Sequence, residues 1–145
     1  MTVESSARIS NKPHRNLLAW QKTMDLAVEI YGITRHFPRE EAYGIISQLR
    51  RAAVSGPSNI AEGAADRTKQ QFSNFLSNAI GSLNEVDTPL ELALRLEYLT
   101  LVDHNRLHRA VDNCLALTYG LRKSLKNKSV SREKTASTEL SSQRR

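Results

Sequence analysis

The sequence has few of the features that mark secreted, membrane-bound or disulfide-stabilised proteins. Its single cysteine, Cys114, excludes an internal disulfide and fits a reducing compartment. No stretch approaches the roughly 18 consecutive apolar residues of a membrane-spanning helix, and residues 1–16 contain no apolar segment of signal-peptide type. We therefore predict a cytoplasmic protein without a membrane partner.

Residues that could carry catalysis are sparse and dispersed. The six glycines occur singly, so the sequence contains no glycine-rich phosphate-binding loop. Cys114 falls on the apolar face of a helical pattern without an evident activating base, which favours a small buried hydrophobic residue over a nucleophile. Since no acid, base and nucleophile converge, we predict neither an enzyme nor a cofactor.

His104 and His108 form the arrangement that most resembles metal ligation. Their four-residue spacing places both imidazoles on one helix face, with Asp112 one turn further. The pattern lacks the glutamate that follows the first histidine in helical metalloprotease motifs, and no second cluster supplies further ligands. A solvated helix face is therefore favoured, and we predict no metal site.

The chain is basic, with a formal net charge of +6, but the excess lies at its two ends. Residues 1–16 carry a net charge of +2 and residues 126–145 one of +4, whereas residues 17–125 hold twelve basic and twelve acidic side chains. Residues 1–16 and 127–145 are polar and lack hydrophobic periodicity, which predicts disordered tails. Composition does not predict a basic surface on the folded body.

Residues 17–126 contain four segments with helical periodicity and short connections. The segments run from about Leu17 to His36, Glu41 to Ala64, Thr68 to Leu94, and Asp103 to Lys126. Asp103 is the predicted N-cap of the last segment. Pro57 predicts a kink within the second segment, and Pro89 predicts a kink or short break near Asp87-Thr88 in the third. The pattern predicts an all-α, up-and-down four-helix bundle with disordered basic tails.

The first segment has a wider apolar surface than a bundle core requires. One stripe consists of Leu17, Trp20, Met24, Ala27, Val28 and Tyr31. A second stripe beside it consists of Leu26, Ile30, Ile33 and Phe37. Together they cover well over half of the circumference, against the roughly 100° that a core-facing helix uses. Either the helix is deeply buried in its own domain or, as we predict, the second stripe meets another subunit.

The second segment carries a mixed polar face. Its members are Gln48, Arg51, Ser55, Asn59 and Glu62, with Arg50 beside them. Arginine offers planar, multi-donor contacts to phosphates and carboxylates. The spacing alone leaves open whether this face is simply solvated or contacts a partner.

Several motifs resemble a known family. They are Leu18-x-Trp20-x-Lys22, Ile30-Tyr31, Phe37-Pro38, Tyr43-Gly44-Ile45-Ile46-Ser47-Gln48-Leu49-Arg50-Arg51-Ala52-Ala53, Asn59-Ile60-Ala61-Glu62-Gly63, Phe72-x-x-Phe75-Leu76 and Gly81-Ser82-x-x-Glu85. Over roughly residues 16–125, the chain resembles the four-helix-bundle proteins encoded in intervening sequences of bacterial 23S ribosomal RNA genes. Ser55-Gly56-Pro57 and Pro89 depart from the family pattern, which bears on local helix geometry.

The resemblance implies properties that composition does not show. Members of the family resemble one another in being non-enzymatic and in forming ring-like homopentamers. A related branch is similar to the accessory protein of diversity-generating retroelements, which pairs with a reverse transcriptase. Carried onto this chain, the motif residues either contact a partner or hold subunits together. They are Arg50, Arg51, Asn59 and Glu62, with Ser82 and Glu85 on the third helix.

We predict a non-enzymatic oligomeric scaffold that associates with RNA or DNA through basic surfaces and tails. The candidate contact residues are Arg50, Arg51, Asn59, Glu62, Arg67, Lys69, Lys126 and Lys128. The alternative is a protein-interaction adaptor for an enzyme such as a reverse transcriptase, without direct nucleic-acid contact. Salt dependence distinguishes the two, because binding through phosphates weakens steeply as salt rises.

Overall fold

The computed structural model describes residues 12–65 and 68–142, and within these ranges the regular structure is helical. Four α-helices follow in order: α1 (Leu18–Thr34), α2 (Ile45–Ala65), α3 (Lys69–Arg95) and α4 (Leu101–Ser142). Short 3₁₀ helices at Pro13–Asn16 and Arg39–Glu41 precede α1 and α2. Consecutive helices pack against each other, and α1 also packs against α4. The predicted all-α four-helix bundle is confirmed.

Capping residues explain where α3 and α4 begin. The Thr68 hydroxyl accepts a hydrogen bond from the Gln71 N–H at 3.2 Å, as an N-cap side chain does. At the start of α4 the Thr100 hydroxyl accepts from the Asp103 N–H at 3.2 Å. The predicted N-cap, Asp103, is therefore wrong, because Thr100 caps the helix and Asp103 lies in its first turn.

Both internal prolines are buried in continuous helices. Pro57 lies within α2 and Pro89 within α3, and neither helix is interrupted at its proline. The short break predicted near Asp87-Thr88 is absent from α3.

Two clusters of buried side chains form the core. The minor core cluster consists of Ala19, Ile60, Leu76 and Ala79, with Leu17, Trp20, Phe72, Leu117, Leu121 and Leu125 packed against it. The major core cluster fills the other end of the bundle, and its members include Leu26, Ile30, Phe37, Leu49, Leu83, Leu90, Leu107 and Cys114. The clusters therefore divide the bundle into two halves along its axis.

The predicted subunit-interface residues lie in the core of the chain itself. Leu26, Ile30 and Phe37 are buried in the major core cluster, and Ile33 packs against it, so the interface prediction is wrong. The sequence pattern was misleading because two buried threonines share this face. The Thr23 and Thr34 hydroxyls donate to helix carbonyls, at 2.8 Å and 2.7 Å, and thereby satisfy their polarity inside the core.

The outward face of α1 carries three residues of the other apolar stripe, whereas Leu17, Trp20 and Ala27 of that stripe pack in the core. Val28 is 68% exposed, and Met24 and Tyr31 are each 39% exposed. We call these three residues the α1 outer face. The helix is thus apolar on two sides, as predicted, but the stripe predicted to meet another subunit is the buried one, and only part of the first stripe is exposed.

The boundaries of both predicted tails require correction. Pro13–Asn16 form a 3₁₀ helix that contacts α1 and α2, while residues 1–11 of the predicted tail lie outside the described residues. At the other end α4 continues to Ser142, so the predicted tail 127–145 is helical through that residue. No glycine or proline follows Gly120 to end the helix. The sixteen residues after Lys126 extend α4 by about 24 Å.

No helix in the described part of the chain combines the length and the hydropathy needed to cross a membrane.

Candidate functional site

The structure separates the predicted contact residues into groups at opposite ends of the bundle. Arg50 and Arg51 lie near the start of α2, whereas Lys69 and Lys126 meet at the start of α3. Arg67 lies outside the described residues, and for Lys128 only the backbone, within α4, is described.

A groove opens between the end of α1 and the start of α2. We call it the α1–α2 groove. It has a volume of about 620 Å³ and is lined by Tyr31, Ala42, Tyr43, Ile46, Ser47, Arg50, Arg51, Val54 and Ser55. The lining contains two arginines and no acidic side chain. It combines an apolar floor with positive charge.

Arg50 is held in place at this groove by α1. Its Nε donates to the Thr34 hydroxyl at 2.9 Å, and its Nη2 donates to the Tyr31 carbonyl at 3.5 Å. The guanidinium carbon lies 4.6 Å from the centre of the Tyr31 ring, within cation–π range. These contacts fix the guanidinium and leave its remaining N–H groups available.

Arg51 is exposed and faces two grooves. Besides the α1–α2 groove, it lines a second groove of about 410 Å³ between α2 and α3, together with Gln48, Glu85 and Thr88. Within the described residues neither Arg50 nor Arg51 forms an ion pair, although other surface arginines, such as Arg95, do. Neither guanidinium is therefore held in an ion pair, although the Glu85 side chain lines the α2–α3 groove together with Arg51.

Asn59 belongs to a hydrogen-bonded seam between α2 and α3. Its side-chain amide donates to the Ser55 carbonyl at 2.9 Å and to the Ser55 hydroxyl at 3.1 Å. The Ser55 and Ser82 hydroxyls lie 2.8 Å apart, and Ser82 also donates to the Asn78 carbonyl at 3.0 Å. This network points to a structural role for Asn59.

Glu62, the fourth motif residue on α2, is exposed.

A third groove, which we call the α3–α4 groove, brings together the predicted contact residues Lys69 and Lys126. It has a volume of about 320 Å³, and its lining is Lys69, Gln70, Ser73, Asn74, Ser77, Leu125 and Lys126. None of these side chains is acidic. Amide and hydroxyl groups between the lysines can donate hydrogen bonds to phosphate oxygens.

Arg122 extends this groove, although the sequence analysis did not select it as a contact residue. Its Nη1 donates to the Ser77 hydroxyl at 3.1 Å, and its guanidinium lies 5.0 Å from the centre of the Tyr119 ring. The sequence could have indicated this position, since Arg122 and Lys126 are four residues apart and therefore share a helix face.

Antiparallel packing sorts the charge of the folded body by position along the bundle. Around the minor core cluster, residues 12–22, 56–65, 68–82 and 116–126 carry a single acidic side chain, Glu62. Their seven basic side chains are Lys12, Arg15, Lys22, Lys69, Arg122, Lys123 and Lys126. Around the major core cluster, residues 23–55 and 83–115 carry seven basic and ten acidic side chains. We call these the basic half and the acidic half.

The histidine pair interacts with carboxylates of α3. His104 Nε2 lies 3.2 Å from Glu91 Oε2, and His108 Nδ1 lies 3.2 Å from Asp87 Oδ1. The two imidazoles are stacked, 6.1 Å apart. His104 is largely enclosed, with 12% side-chain exposure, so the predicted solvated face is correct for His108 but not for His104. The described residues contain no cluster of histidine, cysteine and acidic side chains arranged to hold a metal ion.

Cys114 is buried in the major core cluster, as predicted. Burial is the main cause that raises the pKa of its thiol to about 11, with a smaller contribution from Asp25. A thiol with this pKa is protonated near neutral pH and is a poor nucleophile.

The fold and the chain resemble known proteins. Among solved structures, a protein of unknown function from the S23 ribosomal protein family of Bacteroides thetaiotaomicron superposes with a TM-score of 0.68 and 24% identity. The similarity covers 73% of this chain and 99% of that one. The comparison with curated proteins gave no match.

The sequence model of a family described as 23S rRNA-intervening sequence protein matches residues 15–120. This range spans α1, α2 and α3 and continues into α4 as far as Gly120, so Leu121 and Leu125, which pack against the minor core cluster, lie just beyond it. The chain belongs to the 23S rRNA-intervening sequence protein family.

Proposed function

We propose that this protein is a non-enzymatic, oligomeric scaffold that associates with RNA or DNA through its basic half. The observation that carries the proposal is the separation of charge in the fold, with seven basic side chains against one acidic side chain around the minor core cluster. Lysine and arginine neutralise phosphates and release counterions, which supplies most of the sequence-independent affinity for nucleic acid.

The α3–α4 groove is the centre of this proposed contact surface. Lys69 and Lys126 line it, and Arg122 bonds to Ser77 on its wall. Beyond the groove, the sequence of the projecting end of α4 adds Lys128, Arg132 and Lys134 against Glu133 and Glu139. Helical structure fixes the spacing of the backbone positions along this segment.

A salt titration with charge-matched variants tests the proposal. The affinity for a labelled RNA would be measured by fluorescence anisotropy over a series of KCl concentrations. In the triple variant Lys69→Gln, Arg122→Gln, Lys126→Gln, we expect weaker binding and a shallower dependence of log K on log salt. The slope should fall by about 2 to 3, since each lost phosphate contact removes roughly 0.7 to 0.9.

The matched control removes three arginines of the acidic half, in the variant Arg35→Gln, Arg39→Gln, Arg109→Gln. All three are exposed, and their loss changes the net charge by the same amount. We expect this variant to retain most of the affinity. Equal losses in both triple variants would mean that only the net charge matters and would reject the basic half as the contact surface. Absence of RNA and DNA binding at low salt would reject the nucleic-acid role.

The α1 outer face favours a second candidate function, a protein-interaction adaptor. Exposed apolar side chains grouped on one helix are typical of a surface that contacts another protein. The same face supports the self-association in our proposal, for which the family resemblance implies a homopentamer. A protein partner captured equally well at low and high salt, without nucleic acid, would favour the adaptor.

A further inference from the structure

The α1–α2 groove is lined by an aromatic side chain, Tyr43, that is not packed in the core. Tyr43 lies two residues before the start of α2 and is 100% exposed, whereas Ile45, the first residue of α2, is buried. Tyr43 lines the groove together with Tyr31, whose ring lies beneath the Arg50 guanidinium. Two aromatic side chains and a fixed arginine plane thus face the same space.

Charge in this groove is positive even though the groove lies in the acidic half. Arg50 and Arg51 line it without an ion-pair partner among the described residues, and no acidic side chain is part of the lining. Some other arginines of the acidic half are paired with carboxylates, as Arg106 is with Glu29 at 3.1 Å. An anionic ligand is therefore complementary to the groove.

We propose that the α1–α2 groove binds the unpaired bases of a single-stranded nucleic acid. A base stacks on Tyr43 and on the Arg50–Tyr31 pair, and Arg51 contacts the adjoining phosphate. Exposed aromatic rings and arginine planes are the groups on which single-strand-binding proteins stack bases. This inference rests on the proposed association with nucleic acid, but it assigns base contacts to a different surface.

Single strands fit this chemistry better than a duplex. In a duplex the faces of the bases are covered by their neighbours, so an aromatic side chain can reach them only after unstacking, at a cost in free energy. In a single strand the faces are accessible. The α3–α4 groove, in contrast, presents lysines and amides, which contact the phosphates of either form.

The test measures one oligonucleotide of about 16 nucleotides, the upper end of the site sizes known for small single-strand-binding domains, in single-stranded and in duplex form. A 2-aminopurine base in the single strand reports stacking directly through its fluorescence. We expect quenching with the native protein. Tyr43→Leu should abolish the quenching and weaken single-strand binding by about fivefold to a hundredfold, with duplex affinity unchanged.

Tyr43→Phe is the matched control, because it keeps the ring and removes the hydroxyl. We expect it to retain both the quenching and the affinity. Arg51→Gln should weaken single-strand binding, whereas Arg109→Gln, an exposed change on α4, should not. Since Tyr43 is fully exposed, its substitution does not disturb the core.

Several outcomes would overturn the inference, and they are distinguishable from a failure of the proposed function. If the Lys69, Arg122 and Lys126 variant loses affinity while Tyr43→Leu does not, the basic half binds nucleic acid and the groove does not. If Tyr43→Leu instead changes the mass of the assembly in light scattering, the groove holds a second copy of the chain. If no nucleic acid binds the native protein, both proposals fail.

Discussion

At the scale of single residues, Gly63 controls how closely α2 and α3 approach. A Cβ atom at this position would lie 2.8 Å from Phe72 Cδ2 and 2.8 Å from Phe75 Cβ. The Phe72 ring can turn aside, but Phe75 Cβ is attached directly to the backbone of α3. A side chain at Gly63 therefore requires the two helices to move apart.

We predict that Gly63→Ala destabilises the protein by about 1–3 kcal/mol, the usual cost of overpacking a well-packed site. Gly120→Ala is the control, because nothing lies within 4 Å of a Cβ at this exposed position in α4. There the loss of glycine's flexibility should stabilise the helix by roughly 0.5–1 kcal/mol. Urea unfolding followed by circular dichroism measures both variants. Effects of the same sign would contradict the prediction.

The roles of individual polar residues could be predicted from the sequence only in part. The motif resemblance selected Asn59 and Ser82, but the Asn59 amide bonds to Ser55, and it is the Ser55 hydroxyl that meets Ser82 on the next helix. Whether such a residue binds a partner or joins helices is decided by what faces it across the bundle. That information is absent from the spacing along a single helix.

At the scale of helices, the sequence predicted how many there are, and approximately where, better than it predicted which way they face. The four periodic segments correspond to α1 to α4. The prediction of which face of α1 is buried was wrong because Thr23 and Thr34 are polar residue types. Their hydroxyls are hydrogen-bonded within the helix, so both residues can be buried. An apolar pattern identifies both faces of such a helix but does not say which one the other helices cover.

The end of α4 was predicted too early for a related reason. Hydrophobic periodicity stops near Leu125, which packs against the minor core cluster. The helix continues to Ser142 because the backbone hydrogen bonds need no apolar stripe and no breaker intervenes. Absence of periodicity indicates absence of packing, which differs from absence of a helix.

We predict that removal of residues 128–145 lowers the helical circular dichroism signal and weakens RNA binding while the melting temperature changes little. Among the side chains that the structure describes, the core clusters extend to Leu125, so we expect the bundle to retain its packing. The removed segment carries five basic and two acidic side chains.

The control for this truncation replaces Lys128, Arg132 and Lys134 with glutamine in the full chain. It should retain the helical signal and still reduce the affinity and its dependence on salt. Unchanged RNA binding after truncation would contradict a contribution of the helical extension. An unchanged ellipticity per chain would contradict its helical structure.

At the scale of the whole molecule, the fold creates a charge distribution that the linear sequence conceals. Residues 17–125 are neutral in sum, because their basic and acidic side chains are equal in number. Each helix runs through both halves of the bundle, so this sum combines the charges of the two halves. Antiparallel packing then gathers the basic ends of α3 and α4, and places the acidic end of α3 in the other half. Averaging charge along the chain could not reveal this, whereas averaging by position along the bundle axis does.

Self-association provides the prediction at this scale. Val28 is 68% exposed at the centre of the α1 outer face. We expect Val28→Glu to lower the mass of the assembly measured by light scattering, because a carboxylate would have to be desolvated in an apolar contact. Val102→Glu changes an equally exposed valine, at 76% exposure on α4, and should leave the mass unchanged. A monomeric native protein would contradict the proposed self-association.

The separation of the two halves also gives the folded chain an electric dipole along the bundle axis. Near a polyanion, the field exerts a torque that turns the positive end forward before any side chain makes contact. A larger share of diffusional encounters then begins in a productive orientation, which raises the rate of association. The torque weakens as ions shorten the range of the field, which is about 10 Å at 0.1 M salt. At low ionic strength the molecule therefore approaches a phosphate-rich surface end first.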